Sequence, residues 1–160
     1  MKKEVNTACR FLFLMLRRTS QISEPRLEKF RSTMEELLCE RYKTHWHPNN
    51  PLLGSGFRCI RINHSMDPII VAAARLVGVS YAELKAFPEE LTVWIDPNDV
   101  CFRIGENGSI CDVNEDVLRD MTGRKERSPR NQERLNNIRK KESMLHSNRD
   151  IMPVQTCVQC

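Results

Sequence analysis

The amino-acid sequence predicts an α+β domain: a helical N-terminal half packed on a small, largely antiparallel sheet of about four strands. Three observations predict it. The first part of the chain carries apolar residues at helical spacing. The stretch LTVWIDPNDVCFRIG, Leu91 to Gly105, alternates apolar and polar residues on either side of a Pro-Asn turn, as a hairpin does. Asn107-Gly108 then supplies a second turn signal between strand-like runs.

Taken in order, Val5, Ala8, Cys9, Leu12, Phe13 and Leu16 predict a first helix near residues 3–17. Ser23 is the expected N-cap of a second, with Glu24 and Pro25 in its first turn, where both are favoured. Leu27, Phe30, Met34, Leu37 and Leu38 mark its apolar face, to about Tyr42. The short link predicts an antiparallel pair. Residues 44–56, THWHPNNPLLGSG, read as a loop. Phe57–Ile62 reads as a strand with Phe57, Cys59 and Arg61 on one face and Arg58, Ile60 and Ile62 on the other. Asp67 caps a third helix with Pro68 at its first position, and Gly78 ends it. Ser80 and Glu83 form a capping box for a short fourth helix that Pro88 closes.

In the hairpin, Leu91, Val93 and Ile95 face one way, while Trp94 and Asp96 stand side by side on the other. Asn107-Gly108 predicts a type I′ turn into a last strand, Ser109–Val113. From about Gly123 the periodicity decays into a charged, Asn-rich stretch too poor in apolar residues to offset the cost of ordering. The expected organisation is a domain over 1–116 and a basic, disordered tail over 117–160.

Net charge locates the basic residues. Of the formal +4, residues 121–149 contribute +6 and Asp150 contributes −1, which leaves −1 for residues 1–120. A near-neutral body argues against a domain that grips nucleic acid by charge. Seven cysteines, odd in number and irregular in spacing, fit reduced thiols in an intracellular protein better than a disulfide framework. No apolar run reaches spanning length, and the N-terminal stretch lacks the small-residue cleavage site of a signal peptide.

Catalytic motifs are not found. There is no Gly-x-Ser-x-Gly, and Gly54-Ser55-Gly56 precedes a strand, where a phosphate loop would precede a helix. His45 and His47 flank Trp46 without a matching Cys or carboxylate cluster, so the expected role is a tryptophan anchoring a loop, with no metal. His64 reads as structural and Cys59 as core filler. Asp96 and Asp99 are separated by a turn, without a visible pocket for paired acid–base work. No cofactor is expected. The terminal Cys157 and Cys160 read as an unmodified tail, and Ser128-Pro129 as either a phosphosite or an ordinary polar turn.

The Trp94/Asp96 face has two readings. Either Trp94 packs under a helix and Asp96 caps the turn, or the pair is a docking hot spot, an indole filling a partner pocket while the carboxylate fixes register. The tail likewise reads as a solvated linker or as a segment that associates with nucleic acid through residues 124–141.

Two blocks bear on the choice. Tyr42–Ile62, YKTHWHPNNPLLGSGFRCIRI, and Leu91–Glu106, LTVWIDPNDVCFRIGE, resemble the two signature boxes of the BTG/Tob antiproliferative family. Asn63-His64, Met66-Asp67-Pro68 and Gly108-Ser109-Ile110-Cys111 extend the resemblance over residues 1–114, in the manner of the short members. The resemblance implies a non-enzymatic adaptor that binds the catalytic, DEDD-type poly(A) nuclease subunit of the CCR-NOT deadenylase complex. It also implies promotion of mRNA deadenylation and decay, restraint of proliferation, and a further role as transcriptional cofactor. Carried over by position, the contact surface centres on Phe57, Trp94 and Asp96. Many relatives have Tyr where Phe57 stands. The expected protein is a monomer, nuclear and cytoplasmic, with transcription factors or RNA-binding proteins as further partners. One departure stands out. Asp112-Val113-Asn114-Glu115-Asp116 replaces an apolar, Tyr-containing segment through which short members reach the poly(A)-binding protein and an arginine methyltransferase, so those partners are not carried over.

Overall fold

The computed structural model describes residues 1–123. The elements run α1 (Lys2–Thr19), α2 (Glu24–Tyr42), a 3-10 turn (Ser55–Phe57), β1 (Cys59–Asn63), α3 (Pro68–Val77), α4 (Tyr81–Leu84), β2 (Glu90–Asp96), β3 (Asp99–Ile104), β4 (Cys111–Asp112) and α5 (Glu115–Thr122). The strands form one antiparallel sheet in sequence order, β1-β2-β3-β4. This is the expected α+β arrangement.

Helix α1 is the centre of the core. Its buried residues include Val5, Ala8, Cys9, Phe11, Leu12, Phe13, Leu14 and Leu16, more than a single stripe, because α2, α5 and the sheet's inner face all pack on it. Phe11 meets Phe102 of β3 at 4.5 Å between ring centroids. Asn6 donates to Glu35 at 3.0 Å and Arg17 pairs with Glu24 at 3.3 Å, so α1 and α2 are antiparallel. From the sheet, Ile60, Ile62, Leu91, Val93, Ile95 and Val100 complete the core.

Local signals end the helices where the sequence places them. The Asp67 carboxylate accepts from the Ile69 amide at 2.9 Å, and Gly78 takes the left-handed φ of 71° that closes α3. Ser80 and Glu83 form the capping box of α4. Asp67 has a second role: its other oxygen accepts from the Arg61 amide at 3.0 Å, which occupies a donor on the outer edge of β1.

Three local expectations are corrected. The strand expected at Phe57–Ile62 begins at Cys59. Gly54 at φ 76° turns the chain into a 3-10 turn that carries Phe57 off the strand. The turn after β3 is not type I′: the left-handed residue is Gly105, at φ 76°, and Asn107 is not left-handed. Gly108 is needed for another reason, because a Cβ there would stand 2.0 Å from the Ile104 carbonyl oxygen. Strand β4 is Cys111–Asp112, shorter than the expected Ser109–Val113. Finally, α5 spans the boundary expected at 116. Asn114 caps it by accepting from the Val117 amide at 3.0 Å, and Gly123 ends it at φ 71°. Leu118 is fully buried, with Val117 and Met121 packed beside the core, and Glu115 pairs with Arg10 of α1 at 3.3 Å. The compact unit is Met1–Arg124. The disorder expected for the rest of the tail lies outside the described residues.

Candidate partner-binding surface

Period two fixes the first feature of the site. Trp94 and Asp96 share the face of β2 opposite Val93 and Ile95, which are in the core. Cross-strand pairing sets Cys59 and Cys101 on either side of Trp94, and Arg61 and Arg103 on either side of Thr92. Helix α1 packs against β2 and β3 on the inner side. Among the described residues no helix covers Trp94, which is half-buried in the sheet's outer face. The Arg103 guanidinium lies over its ring at 5.8 Å from the centroid. The tryptophan is thus held by its neighbours yet open on one side.

The β2–β3 turn positions the end of this face. Pro97 fixes the first corner, and Asn98 adopts the left-handed φ of 66° that a type II turn needs at the second. Asp96 pairs with Asp99 across it. The Asn98 amide donates to Glu4 of α1 at 3.2 Å, which ties the turn to the helix. Burial opposes ionisation of Glu4, but hydrogen bonds and the nearby N-terminal ammonium outweigh it and hold its carboxyl below the usual range.

Arg58 is the residue that the sequence did not reveal. It reads there as an ordinary strand position, yet its side chain is fully buried. A guanidinium has five N–H donors, and each has an acceptor here. Nε and Nη2 donate to Asp96 Oδ1 at 3.0 and 2.6 Å. Nη1 donates to the Leu53 carbonyl at 2.9 Å and to that of His45, and Nη2 to that of Pro51. The Trp46 ring lies 5.6 Å from the guanidinium carbon and stacks on Tyr42, whose hydroxyl donates to the Arg58 carbonyl at 3.0 Å. Gly54 is required beside it: a Cβ would stand 3.1 Å from the His45 carbonyl oxygen and 3.2 Å from Arg58 Nη1. No pattern of period or motif announces such a residue, because its acceptors are scattered along the chain.

Phe57 sits at the end of the 3-10 turn, two residues before Cys59, the partner of Trp94. Its ring is 56% exposed and stacks on His45 at 4.1 Å, nearly parallel at 7°. Phe57, Trp94 and Asp96 therefore occupy one corner of the sheet. Asp96 is 24% exposed at its side chain, and one of its oxygens is committed to Arg58. His45 and Trp46 serve the loop's own packing, and His64 is an exposed left-handed residue at φ 54°.

The one potential metal cluster among the described residues is Asp99, Cys101 and Asp112, with ligand atoms within 4.8 Å of one another. Burial, with the neighbouring Asp99 carboxylate next, pushes the Cys101 thiol up to about 12. The thiol donates to Asp99 at 3.3 Å, so at neutral pH it is a protonated donor and a poor ligand.

A helical half packed on a four-stranded antiparallel sheet is a fold that a solved BTG/Tob domain shares. The solved FOG-3 BTG/Tob domain from C. elegans matches it with a TM-score of 0.64, covering 78% of this chain and 98% of that one at 23% identity. The BTG family model matches residues 1–114, and the chain belongs to the BTG family. It is 50% identical to human protein BTG1 over 109 residues, 68% of this chain and 64% of that protein. It is 49% identical to human protein BTG2 over 118 residues, 73% of this chain and 75% of that one. The chain thus spans just under two thirds of the BTG1 relatives it matches.

Proposed function

We propose that this chain is a non-enzymatic, antiproliferative adaptor. It docks on the catalytic poly(A) nuclease subunit of the CCR-NOT deadenylase complex and promotes mRNA deadenylation and decay. It works in cytoplasm and nucleus, where it also serves as a transcriptional cofactor. The observation that supports this best is Trp94: a half-buried indole on the outer sheet face, with exposed Phe57 at the same corner, in a chain of the BTG family. Aromatic side chains that are braced at the base and open at the tip are what interface hot spots are made of. The adaptor supplies no reacting group; it places the nuclease near a message that another bound factor selects.

The test is a titration of the purified nuclease subunit against wild-type chain and Trp94→Ala. A hot spot should lose about 2 kcal/mol or more, roughly 30-fold in Kd, with melting nearly unchanged. Equal affinity from an equally stable variant rejects the surface. No binding by the wild-type chain rejects the partner.

A further inference from the structure

We propose that Ser20 is a phosphorylation site for a basophilic serine/threonine kinase, and that the last turn of α1 gates access to it. The proposal does not rest on the adaptor reading above. Glu4, near the start of α1, bonds to Asn98 in the turn that ends Trp94's strand, whereas Ser20 follows the last residue of the same helix. Sixteen positions of helix put those two ends about 24 Å apart.

Four observations carry it. First, the sequence at the end of α1 is Arg17-Arg18-Thr19-Ser20. Among the described residues Ser20 is the only serine or threonine with arginine both three and two positions before it. Kinases select substrates by such charge patterns, and a cleft with acidic subsites at these two positions takes this one. Second, Ser20 stands where regular structure stops. Helix α1 ends at Thr19 and α2 begins at Glu24. Ser20 is extended, at φ −106° and ψ 164°, and partly exposed, with Arg17, Arg18 and Gln21 exposed around it. Its hydroxyl accepts from the Ile22 amide at a long 3.5 Å and donates to no acceptor among the described residues.

Third, one side chain holds the turn that a kinase must open. A kinase cleft takes its substrate in extended form, so Arg17 to Thr19 have to leave the helix, and helix ends open at little cost. The Thr19 hydroxyl stands 2.8 Å from the Met15 carbonyl oxygen and 3.1 Å from that of Ala86, between α4 and β2. Its single proton serves one or the other, and the Ala86 contact ties the turn to a distant part of the chain. Fourth, a phosphate on Ser20 has a receptor. Arg17 pairs with Glu24 at 3.3 Å, both about half exposed, which makes a weak pair. A phosphate brings about −1.5 to −2 charges and three acceptor oxygens, and competes with Glu24 for that guanidinium. The joint of Arg17, Arg18 and Glu24 then changes from net positive to net negative.

In the transfer, Ser20 Oγ attacks the γ-phosphorus of ATP. The Oγ–P bond forms as the bond from that phosphorus to the β,γ-bridging oxygen breaks, ADP leaves, and the hydroxyl proton passes to the kinase's catalytic carboxylate. The experiment incubates the full chain with magnesium ATP and the catalytic subunit of cyclic-AMP-dependent kinase, and locates the phosphate by tandem mass spectrometry. A peptide of residues 12–26 is the unfolded reference. Ser20 of the chain should be phosphorylated. Arg17→Ala with Arg18→Ala should slow it about 100-fold, the loss of two charge-assisted contacts. Thr19→Val should speed the chain about fivefold relative to a peptide carrying the same change, the worth of one hydrogen bond. In animal cells expressing the chain, raising cyclic AMP should raise the Ser20 phosphate. No phosphate on Ser20 of the chain, with or without labelling of the peptide, overturns the site, and so does a cellular level that does not respond. A chain-to-peptide ratio unchanged by Thr19→Val overturns the gate.

Discussion

Leu118→Ala tests whether the domain continues through α5. Leu118 is 1% exposed and lies in the main core, with Val117 and Met121 packed beside it. Removing a fully buried leucine side chain costs the transfer of its lost carbons plus the cavity left behind, about 2–5 kcal/mol. The lower part of that range applies here, because an eight-residue terminal helix can settle or undock locally and so limit the loss. About 2–4 kcal/mol is the expected cost. For a domain of this size each kcal/mol moves Tm by about 4 °C, so the variant should melt about 8–16 °C lower. Calorimetry on the full chain measures it, with denaturant midpoints as a second check. A chain ending at Gly123 is the control and should melt within about 2 °C of the parent. If Leu118→Ala melts with the wild type, α5 contributes nothing to the core, and the boundary belongs at 116, where periodicity alone puts it.

Three further outcomes are expected. Gly54→Ala should destabilise by about 1–2 kcal/mol, since it places a Cβ on a φ of 76° and against the His45 carbonyl; urea midpoints check it. Glu83 has its carboxyl held below the usual range, first by the Ser80 amide and then by the Ser80 hydroxyl. A depressed folded-state pKa contributes stability that is present above the ordinary carboxylate pKa and lost as pH falls through the folded value. Denaturant midpoints across the acid limb should therefore fall less steeply in Glu83→Gln than in the wild type; identical slopes refute the role. Alkylation followed by mass spectrometry at mild alkaline pH should label exposed Cys111 well before Cys101 and Cys9, whose thiols burial holds protonated. Early labelling of Cys9 would mean that α1 is not packed as described.

The parts of the fold legible in the sequence are those governed by neighbours in the chain. Asp67, Gly78, Ser80 and Glu83 act within a turn or two of themselves, so their caps can be named before any coordinates. The pairing of Trp94 with Asp96 on one face follows from alternation alone. Where two constraints fell on the same few residues, the plainer signal failed. Asn107-Gly108 has the composition of a type I′ turn, but Gly108 instead answers a close pass of the Ile104 carbonyl. Phe57 continues a strand pattern, but the chain is drawn into a 3-10 turn. Helix α5 does carry local signals, an Asn114 cap, Val117, Leu118 and Met121 at helical spacing and Gly123 at its end, but they stand at the edge of a charged stretch that reads as tail, and they matter because α1 offers them a surface.

The sequence by itself determined the class of the fold, the ends of α3 and α4, the β2–β3 hairpin, and the face on which Trp94 stands. Each rests on stereochemistry over a few residues: caps, turns and a period of two. Only the tertiary structure decided which face stayed open, where the compact unit stopped, and what Arg58 was for. Its five donors reach acceptors at 45, 51, 53 and 96, positions that no local periodicity connects. A buried guanidinium can be recognised only when the groups that satisfy it have been brought around it, and folding alone does that.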